Sequence, residues 1–138
     1  PVLTVPPGVT FKPLQNVAFA CNLRNINNNT PFSKLLKLVA FTEARLHVVY
    51  VTSLYFEPGS AEAANDLLVK NNLEEISPVY HTLLENQVVQ AIGKFVEEHH
   101  IQLLLVIPKK HGLWQSLFHK SFTKELARLN RLPIMALH

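Results

Sequence analysis

The hydrophobic pattern of this chain consists of short, unbroken apolar runs separated by stretches with helical spacing. Four runs are rich in strand-forming residues and lack the alternation of a half-exposed strand: Asn16–Cys21, Leu46–Thr52, Ile101–Ile107 and Pro133–Leu137. Continuous apolar runs of this length are typical of parallel strands that are covered on both faces. A weaker fifth run lies in Glu75–Leu83, where Pro78 predicts an edge position or a bulge.

Four helices are predicted in the segments between these runs. Thr30 followed by Pro31 matches an N-cap and a first helical residue, and Ser60 and Asn86 are the caps predicted for the second and third helices. The fourth helix is predicted to begin near Ser121. The residues predicted to face inward are Leu35, Leu36, Leu38, Val39 and Ala44 in the first helix, Ala63, Ala64, Leu67 and Leu68 in the second, Val88, Val89, Ile92, Phe95 and Val96 in the third, and Leu126 and Leu129 in the fourth.

The alternation of strands and helices determines the expected fold class. It predicts right-handed crossovers and an α/β fold with a doubly wound, mainly parallel five-stranded sheet that carries helices on both faces. In such sheets a ligand binds beyond the carboxyl ends of the strands, where the strand order reverses. We expect this crevice after the first and fourth strands, so that its walls are Asn22–Thr30 and Pro108–Lys120.

The two ends of the chain resemble each other. Residues 1–6 (PVLTVP) and residues 133–138 (PIMALH) both begin with a proline that is followed by four strand-forming or apolar residues. The similarity is either a coincidence or a sign that residues 1–13 are the last strand and linker of a preceding copy of the domain formed by 14–138. The second interpretation predicts that residues 2–5 pair antiparallel with 134–137. Pro1 in place of an initiator methionine is typical of an excised or processed chain.

The composition narrows the possible functions. The chain has 138 residues, enough for one domain, but only four glycines where average usage gives roughly ten. The glycines stand alone, and neither GxGxxG nor GxxxxGK[ST] is present, which argues against a glycine-rich phosphate loop. The formal charge of +3 is too small and too dispersed to indicate nucleic acid as a partner. The apolar runs are much shorter than the roughly 20 residues that span a membrane.

The cysteine, the histidines and the acidic residues give little indication of catalysis or metal binding in the sequence. Cys21 is the only cysteine, so a reducing compartment such as the cytoplasm is expected, and a buried structural thiol is favoured over a reactive one. His99 and His100 match a solvated helix end better than a metal site. His47 and His81 are interpreted as core or surface histidines rather than ligands, and no metal is expected. The only aspartate, Asp66, is predicted to lie on a helix away from the crevice, so no catalytic residues and no enzyme activity are predicted.

Three segments near the end of the chain form a recognisable set: the fourth strand Leu103–Ile107, the segment Lys120-Ser121-Phe122-Thr123 and the closing strand Leu132–Leu137. In order and spacing they resemble the fourth strand, the end of the ligand loop and the last strand of the universal stress protein family. The resemblance covers residues 15–138 in architecture. It implies a Rossmann-like fold of the adenine nucleotide alpha hydrolase type and a regulatory role in stress responses. It also implies a homodimer or a tandem pair joined through the last strand, Ile134, Met135, Ala136 and Leu137.

Nucleotide-binding members of that family carry an Asp after the first strand, a Val late in the second and a glycine loop ending in a hydroxyl residue. The corresponding positions in this sequence are Asn22, Val51, Pro108, His111, Lys120 and Ser121, of which only Val51 and Ser121 match. Pro108 has no N–H to offer a phosphate, and Lys120 places a side chain where the phosphate would lie, although its ammonium could bind that phosphate. The resemblance therefore implies ATP or AMP as possible ligands of a degenerate loop.

The basic loop itself leaves two interpretations open. Lys109, Lys110, His111 and Lys120 lie next to a predicted helix N-terminus, which is typical either of a solvated loop or of an altered pocket for an anion such as a nucleotide. Leu113, Trp114, Leu117 and Phe118 follow helical spacing and indicate core packing, a lid or an exposed interface. Two functions follow: a non-catalytic regulatory module that binds an anion, or a ligand-free module for protein interaction and dimerisation.

Overall fold

The computed structural model describes residues 1–52, 59–84, 87–108 and 132–138. These residues form six strands and three α-helices in a mixed α/β arrangement. The strands are β1 Val2–Thr4, β2 Asn16–Cys21, β3 Arg45–Thr52, β4 Val79–Leu84, β5 Leu103–Val106 and β6 Ile134–Ala136. The helices are α1 Phe32–Thr42, α2 Ser60–Leu73 and α3 Val88–Glu98, with 3₁₀ turns at Leu23–Asn25 and Glu74–Ile76.

The strands form one sheet in the order β1-β6-β5-β2-β3-β4. Every neighbouring pair is parallel except β1 and β6. Because β2 lies between β3 and β5, the strand order reverses beside β2, which is where doubly wound sheets leave a crevice and where the sequence predicts one. The expected count of five strands was short by one because β1 joins the sheet.

The pairing of β1 with β6 follows the repeat seen at the two ends of the sequence. Val2 lies opposite Ala136, Leu3 opposite Met135 and Thr4 opposite Ile134, in antiparallel register. The predicted pairing of residues 2–5 with 134–137 is therefore confirmed over the three residues of β1.

β2 has the predicted bounds, and the ends of the other predicted strands differ from the observed ones by at most four residues. The predicted strand Ile101–Ile107 shortens to β5 because the N–H of Ile101 donates to the carbonyl of Val96 (3.0 Å) and so belongs to the turn that ends α3. β4 begins only after Pro78, which cannot donate to a ladder, and it lies at the sheet edge as predicted.

Two of the predicted helix caps were wrong by one residue. The hydroxyl of Thr30 accepts from the N–H of Asn27 (3.0 Å), so it is not available to the helix, and the cap position of α1 falls on Pro31. Ser60 is the first residue of α2, and Gly59 takes the cap position, where its N–H donates to the carboxylate of Glu62 (3.1 Å). The predicted cap Asn86 and the helix predicted from Ser121 lie outside the described residues.

Helices cover both faces of the sheet. On one face α3 packs Ile92, Phe95 and Val96 against a layer of small and branched side chains from the strands, Ala18, Ala20, Val49, Val51, Leu104 and Val106. On the other face α1 and α2 pack against a second layer, formed by Val17, Phe19, Leu46, Val48, Leu103 and Leu105. The doubly wound architecture predicted from the continuous apolar runs is confirmed. Among the described residues, no helix combines the length and the apolar character needed to cross a membrane.

The predicted inner face of α2 was wrong in part. Val69 and Leu73 are its buried residues, whereas Ala63, Ala64 and Leu67 are exposed. The first half of this helix instead turns polar residues towards the sheet end, where Asn65 and Asp66 form hydrogen bonds. Apolar spacing alone could not show this, because the polar contacts determine which side of the helix faces inward.

Candidate functional site

Three of the residues proposed for ligand binding lie at the carboxyl edge of the sheet. β2 and β5 pair Ala20 with Val106, so Asn22 and Pro108, two residues further on, follow the ends of neighbouring parallel strands. β2 and β3 pair Cys21 with Tyr50, which places Val51 one residue beyond that pair. The strand register therefore brings Asn22, Val51 and Pro108 to one edge, as the topology predicted.

A small pocket opens at this edge, between the ends of β2 and β5. Its described lining consists of Ala20, Cys21, Asn22, Asn25, Ile26 and Ile107. Its volume is about 10 Å³, close to the minimum that holds one water molecule. The described part of the edge thus forms a floor of strand ends and one wall, the segment that follows β2.

The side chain of Asn22 already forms a hydrogen bond within this wall. Its side-chain Oδ1 accepts a hydrogen bond from the backbone N–H of Arg24 at 2.9 Å and so caps the 3₁₀ turn Leu23–Asn25. The oxygen at the position of the family's aspartate is therefore turned towards the backbone. The Nδ2 amide is the group with which Asn22 can donate to a ligand, and a donor of that kind suits an anion or a base edge.

Helix α2 holds this wall in place. Arg24 Nε lies 3.1 Å from Glu62 Oε1, and the Asn65 amide donates to the carbonyl of Leu23 at 2.7 Å. Hydrogen bonds from its own backbone N–H, from Arg24 and from Gly59 hold the pKa of Glu62 below its usual range. Arg24 is thus an ion-paired cation that anchors the segment, and it orients the 3₁₀ turn beside the pocket.

Cys21 and Asp66 lie close to the pocket but are held in structural roles. Cys21 is a free thiol with 5% of its surface exposed, and burial, with a smaller effect from Asp66, raises the pKa of this thiol. The prediction of a buried structural cysteine is confirmed. Asp66 accepts from the hydroxyl of Tyr50 (2.8 Å) and from the ammonium of Lys70 (2.6 Å). Asp66 therefore lies nearer the crevice than expected, because the polar side of α2 faces the sheet end.

Solved structures with the same arrangement of elements identify the fold. A universal stress family protein from Burkholderia pseudomallei superposes with a TM-score of 0.59 at 15% identity, covering 93% of this chain and 98% of that one. A universal stress protein in complex with cAMP gives 0.59 at 12% identity, covering 92% and 98%. One from Archaeoglobus fulgidus gives 0.61 at 10% identity, covering 90% and 93%. The chain has the fold of the universal stress proteins.

Sequence comparison alone does not reach these proteins. No protein-family model matches the sequence, and no curated protein matches it significantly. The likeness to the universal stress proteins therefore lies in the topology and the strand register. At most of the family's loop positions this sequence has a different residue. Of the proposed binding residues in the basic loop, Lys109, Lys110, His111, Lys120 and Ser121 lie outside the described residues, as do Trp114 and Phe118.

A second group of polar side chains lies on the face that α3 covers, and the sequence did not suggest that its members meet. His47 of β3, His81 of β4 and His99 at the end of α3 bring their ring nitrogens within 4.8 Å of one another. His47 is buried and hydrogen-bonded, as expected of a core histidine, but His99 packs against the sheet instead of marking a solvated helix end. The parallel register of β3 and β4 was the missing information.

Proposed function

We propose that this chain is a non-catalytic regulatory module of the universal stress protein kind, which binds an adenine nucleotide or a related anion at the carboxyl edge of its sheet. The observation that carries the proposal is the strand register, which brings Asn22, Val51 and Pro108 together where this fold leaves a crevice. A relative of the same fold, solved as a universal stress protein in complex with cAMP, supports a nucleotide as the ligand class.

The residues at the edge favour a binding mode that relies on side chains. Pro108 lacks a backbone N–H and Asn22 uses its Oδ1 as a cap, so two positions that serve nucleotide-binding relatives are altered. We infer that Lys109, Lys110, His111, Lys120 and Ser121 replace the lost backbone contacts with charged and hydroxyl groups. A lysine binds phosphate as a point charge and fixes its orientation less than a cradle of N–H groups does. The expected affinity is accordingly modest.

The described residues also favour binding over catalysis. The Cys21 thiol is buried and protonated, so it is a poor nucleophile. Both oxygens of the Asp66 carboxylate are occupied by Tyr50 and Lys70, which suits a structural ion pair better than a general base. We therefore propose a module that signals by binding, without turnover of the nucleotide.

Calorimetric titration of the full chain with ATP, AMP and inorganic phosphate tests the proposal. We expect heat of binding at millimolar ligand, with a nucleotide preferred over phosphate. Lys120→Ala should weaken nucleotide binding about tenfold, because one charge-assisted contact contributes roughly 1.5 kcal/mol. Lys94→Ala is the matched control: Lys94 is an exposed lysine on α3, 3.8 Å from Glu98, and its loss should leave the affinity unchanged.

Flat titrations with all three ligands would reject ligand binding and favour the second candidate, a module for protein interaction. That candidate rests on β1, which is an edge strand of the sheet formed by the described residues and which exposes Val2 (59%) and Leu3 (50%) there. An open edge with apolar side chains is a surface that readily pairs with another strand. The same pairing of β1 and β6 is compatible with residues 1–13 being the last strand and linker of a preceding repeat.

If the interaction module is correct, the chain should self-associate through β1. Sedimentation of the purified protein should then show a concentration-dependent dimer, and Leu3→Lys should weaken it, because a charge on an edge strand opposes strand pairing. Leu84→Lys, at an equally exposed leucine (53%) on the other edge strand, is the control. A monomer at every concentration, or an equal effect of both variants, would argue against β1 as the interface.

A further inference from the structure

The strongest unassigned feature is the cluster formed by His47, His81 and His99, which we call the histidine cluster. β3 and β4 pair His47 with Val79 and Val49 with His81, so the two histidines project from the same face of neighbouring strands. This is the face that α3 covers, and His99 follows the last residue of that helix. Three separate elements therefore supply one imidazole each to a single place.

The imidazole nitrogens of the cluster converge. His47 Nδ1 lies 3.0 Å from His81 Nε2, and one ring nitrogen from each of the three histidines lies within 4.8 Å of the others. Two Zn–N bonds of 2.0–2.1 Å at a tetrahedral angle hold their nitrogens about 3.3 Å apart. The 3.0 Å between His47 Nδ1 and His81 Nε2 is already close to this separation. His81 and His99 are only partly buried, so small rotations of their side chains can bring in the third nitrogen.

The hydrogen bonding of His47 places its lone pair towards the cluster. His47 Nε2 lies 3.2 Å from Asn16 Oδ1, an oxygen that can only accept, so Nε2 carries the proton and Nδ1 is left bare. A ligating histidine typically donates its other N–H to an oxygen in this way, which fixes both the tautomer and the ring orientation. Asn16 thus provides an outer partner that a metal ligand needs.

The surroundings of His47 and His81 also favour the neutral imidazole, the form that binds metal. Burial lowers the pKa of His47 to about 4, with further contributions from His81, His99 and Arg45. Burial and the charge of His99 also lower the pKa of His81. These two shifts agree with the geometry, because His47 Nδ1 lies 3.0 Å from His81 Nε2 and charging both rings would be unfavourable.

Ring packing alone accounts for only part of this arrangement. Phe95 lies edge-on to His81, with ring centroids 4.8 Å apart, and its ring is tilted against that of His99, with centroids 4.3 Å apart. Phe95 therefore packs against two of the three imidazoles. Such packing uses the faces and edges of rings and makes no demand on where the nitrogens point. Here His47 Nδ1 and His81 Nε2 approach to 3.0 Å, and a ring nitrogen of His99, from a third element, lies within 4.8 Å of both.

We propose that His47, His81 and His99 bind one divalent transition-metal ion of the zinc type. Three imidazoles and an open fourth position form a familiar zinc coordination, and the partial exposure of His81 and His99 leaves that position to water. The ion would link the edge strand β4 to α3. His47 lies four residues before Val51 along β3, and none of the three histidines is among the residues proposed to bind the nucleotide.

Titration of the metal-free full chain with Zn²⁺ alone tests the site. We expect one equivalent to bind at pH 7.5, and His81→Gln or His99→Gln to weaken that binding by more than about 100-fold. Asn16→Ala should weaken it about 10- to 100-fold through the loss of the outer hydrogen bond. His100→Gln is the matched control, because His100 is the exposed neighbour of His99 and lies outside the cluster.

A spectroscopic measurement separates this site from zinc binding elsewhere in the chain. In ¹H–¹⁵N spectra of the imidazoles, the nitrogen signals of His47, His81 and His99 should shift with one equivalent of Zn²⁺, while that of His100 stays in place. Circular dichroism of each variant confirms that it is folded. Absence of binding, or binding that His81→Gln and His99→Gln leave unchanged, overturns the proposal.

Discussion

Truncation of Phe19 to alanine is expected to lower the free energy of unfolding by about 3–5 kcal/mol, the largest effect of a single substitution that we predict. Phe19 lies in the middle of the central strand β2 and is fully buried in the layer beneath α1 and α2. Its removal leaves a cavity between the sheet and two helices, which the rigid strand backbone cannot close. Urea denaturation followed by circular dichroism measures the change.

Phe41→Ala is the matched control for this prediction. Phe41 lies on α1 with 89% of its surface exposed, so the same change of side chain removes almost no buried area. The free energy of unfolding should change by less than about 0.5 kcal/mol. Phe19→Leu, which keeps most of the volume, should cost clearly less than Phe19→Ala and gives a measurable value if the alanine variant fails to fold. Equal costs at Phe19 and Phe41 would contradict the assignment of the core.

The position of Phe19 also shows why the fold could be predicted from the sequence. A run such as Asn16–Cys21 is apolar on both sides, and a short run of this kind that is rich in strand-forming residues is typical of a strand covered on both faces. Once the runs alternate with helical segments, right-handed crossovers leave few possible topologies. The reversal of the strand order beside β2 followed from these local patterns, and the pairing of β1 with β6 followed from the repeat at the two ends of the chain.

The side-chain constellations could be predicted much less well. The topology marks the segment after β2, and the resemblance to the universal stress proteins selected Asn22 within it, whereas the use of Asn22 as a cap depends on the backbone turn that follows. The histidine cluster depends on the register between β3 and β4 and on where α3 ends, and a shift of one residue would separate its members. Asp66 was placed away from the crevice because apolar spacing does not report the polar contacts that turn α2.

Raising the pH from 8 to 10 is expected to destabilise the protein by about 1–2 kcal/mol through Cys21. Burial raises the pKa of this thiol in the folded protein, whereas an exposed thiol in the unfolded chain has a pKa of about 8.5. Above pH 8.5 the unfolded chain therefore loses a proton that the folded protein keeps. The stability is complete below that pH and falls as the pH rises, by about 1.4 kcal/mol for each further pH unit.

Cys21→Ala isolates this contribution from the deprotonation of other groups. Alanine removes the titrating thiol and adds no polar group to the buried site, so the variant should be somewhat less stable than the parent at pH 7 but should lose less stability between pH 8 and pH 10. The hydroxyl of Tyr50, whose pKa is also raised by burial and by its hydrogen bond to Asp66, is present in both proteins and begins to contribute only near pH 10. The difference between the two stability curves, measured by urea denaturation in the presence of a reductant, is therefore the thiol's own. Parallel curves over this range would contradict the prediction. They would mean that Cys21 ionises as easily in the folded protein, where it is buried at the end of β2, as in the unfolded chain.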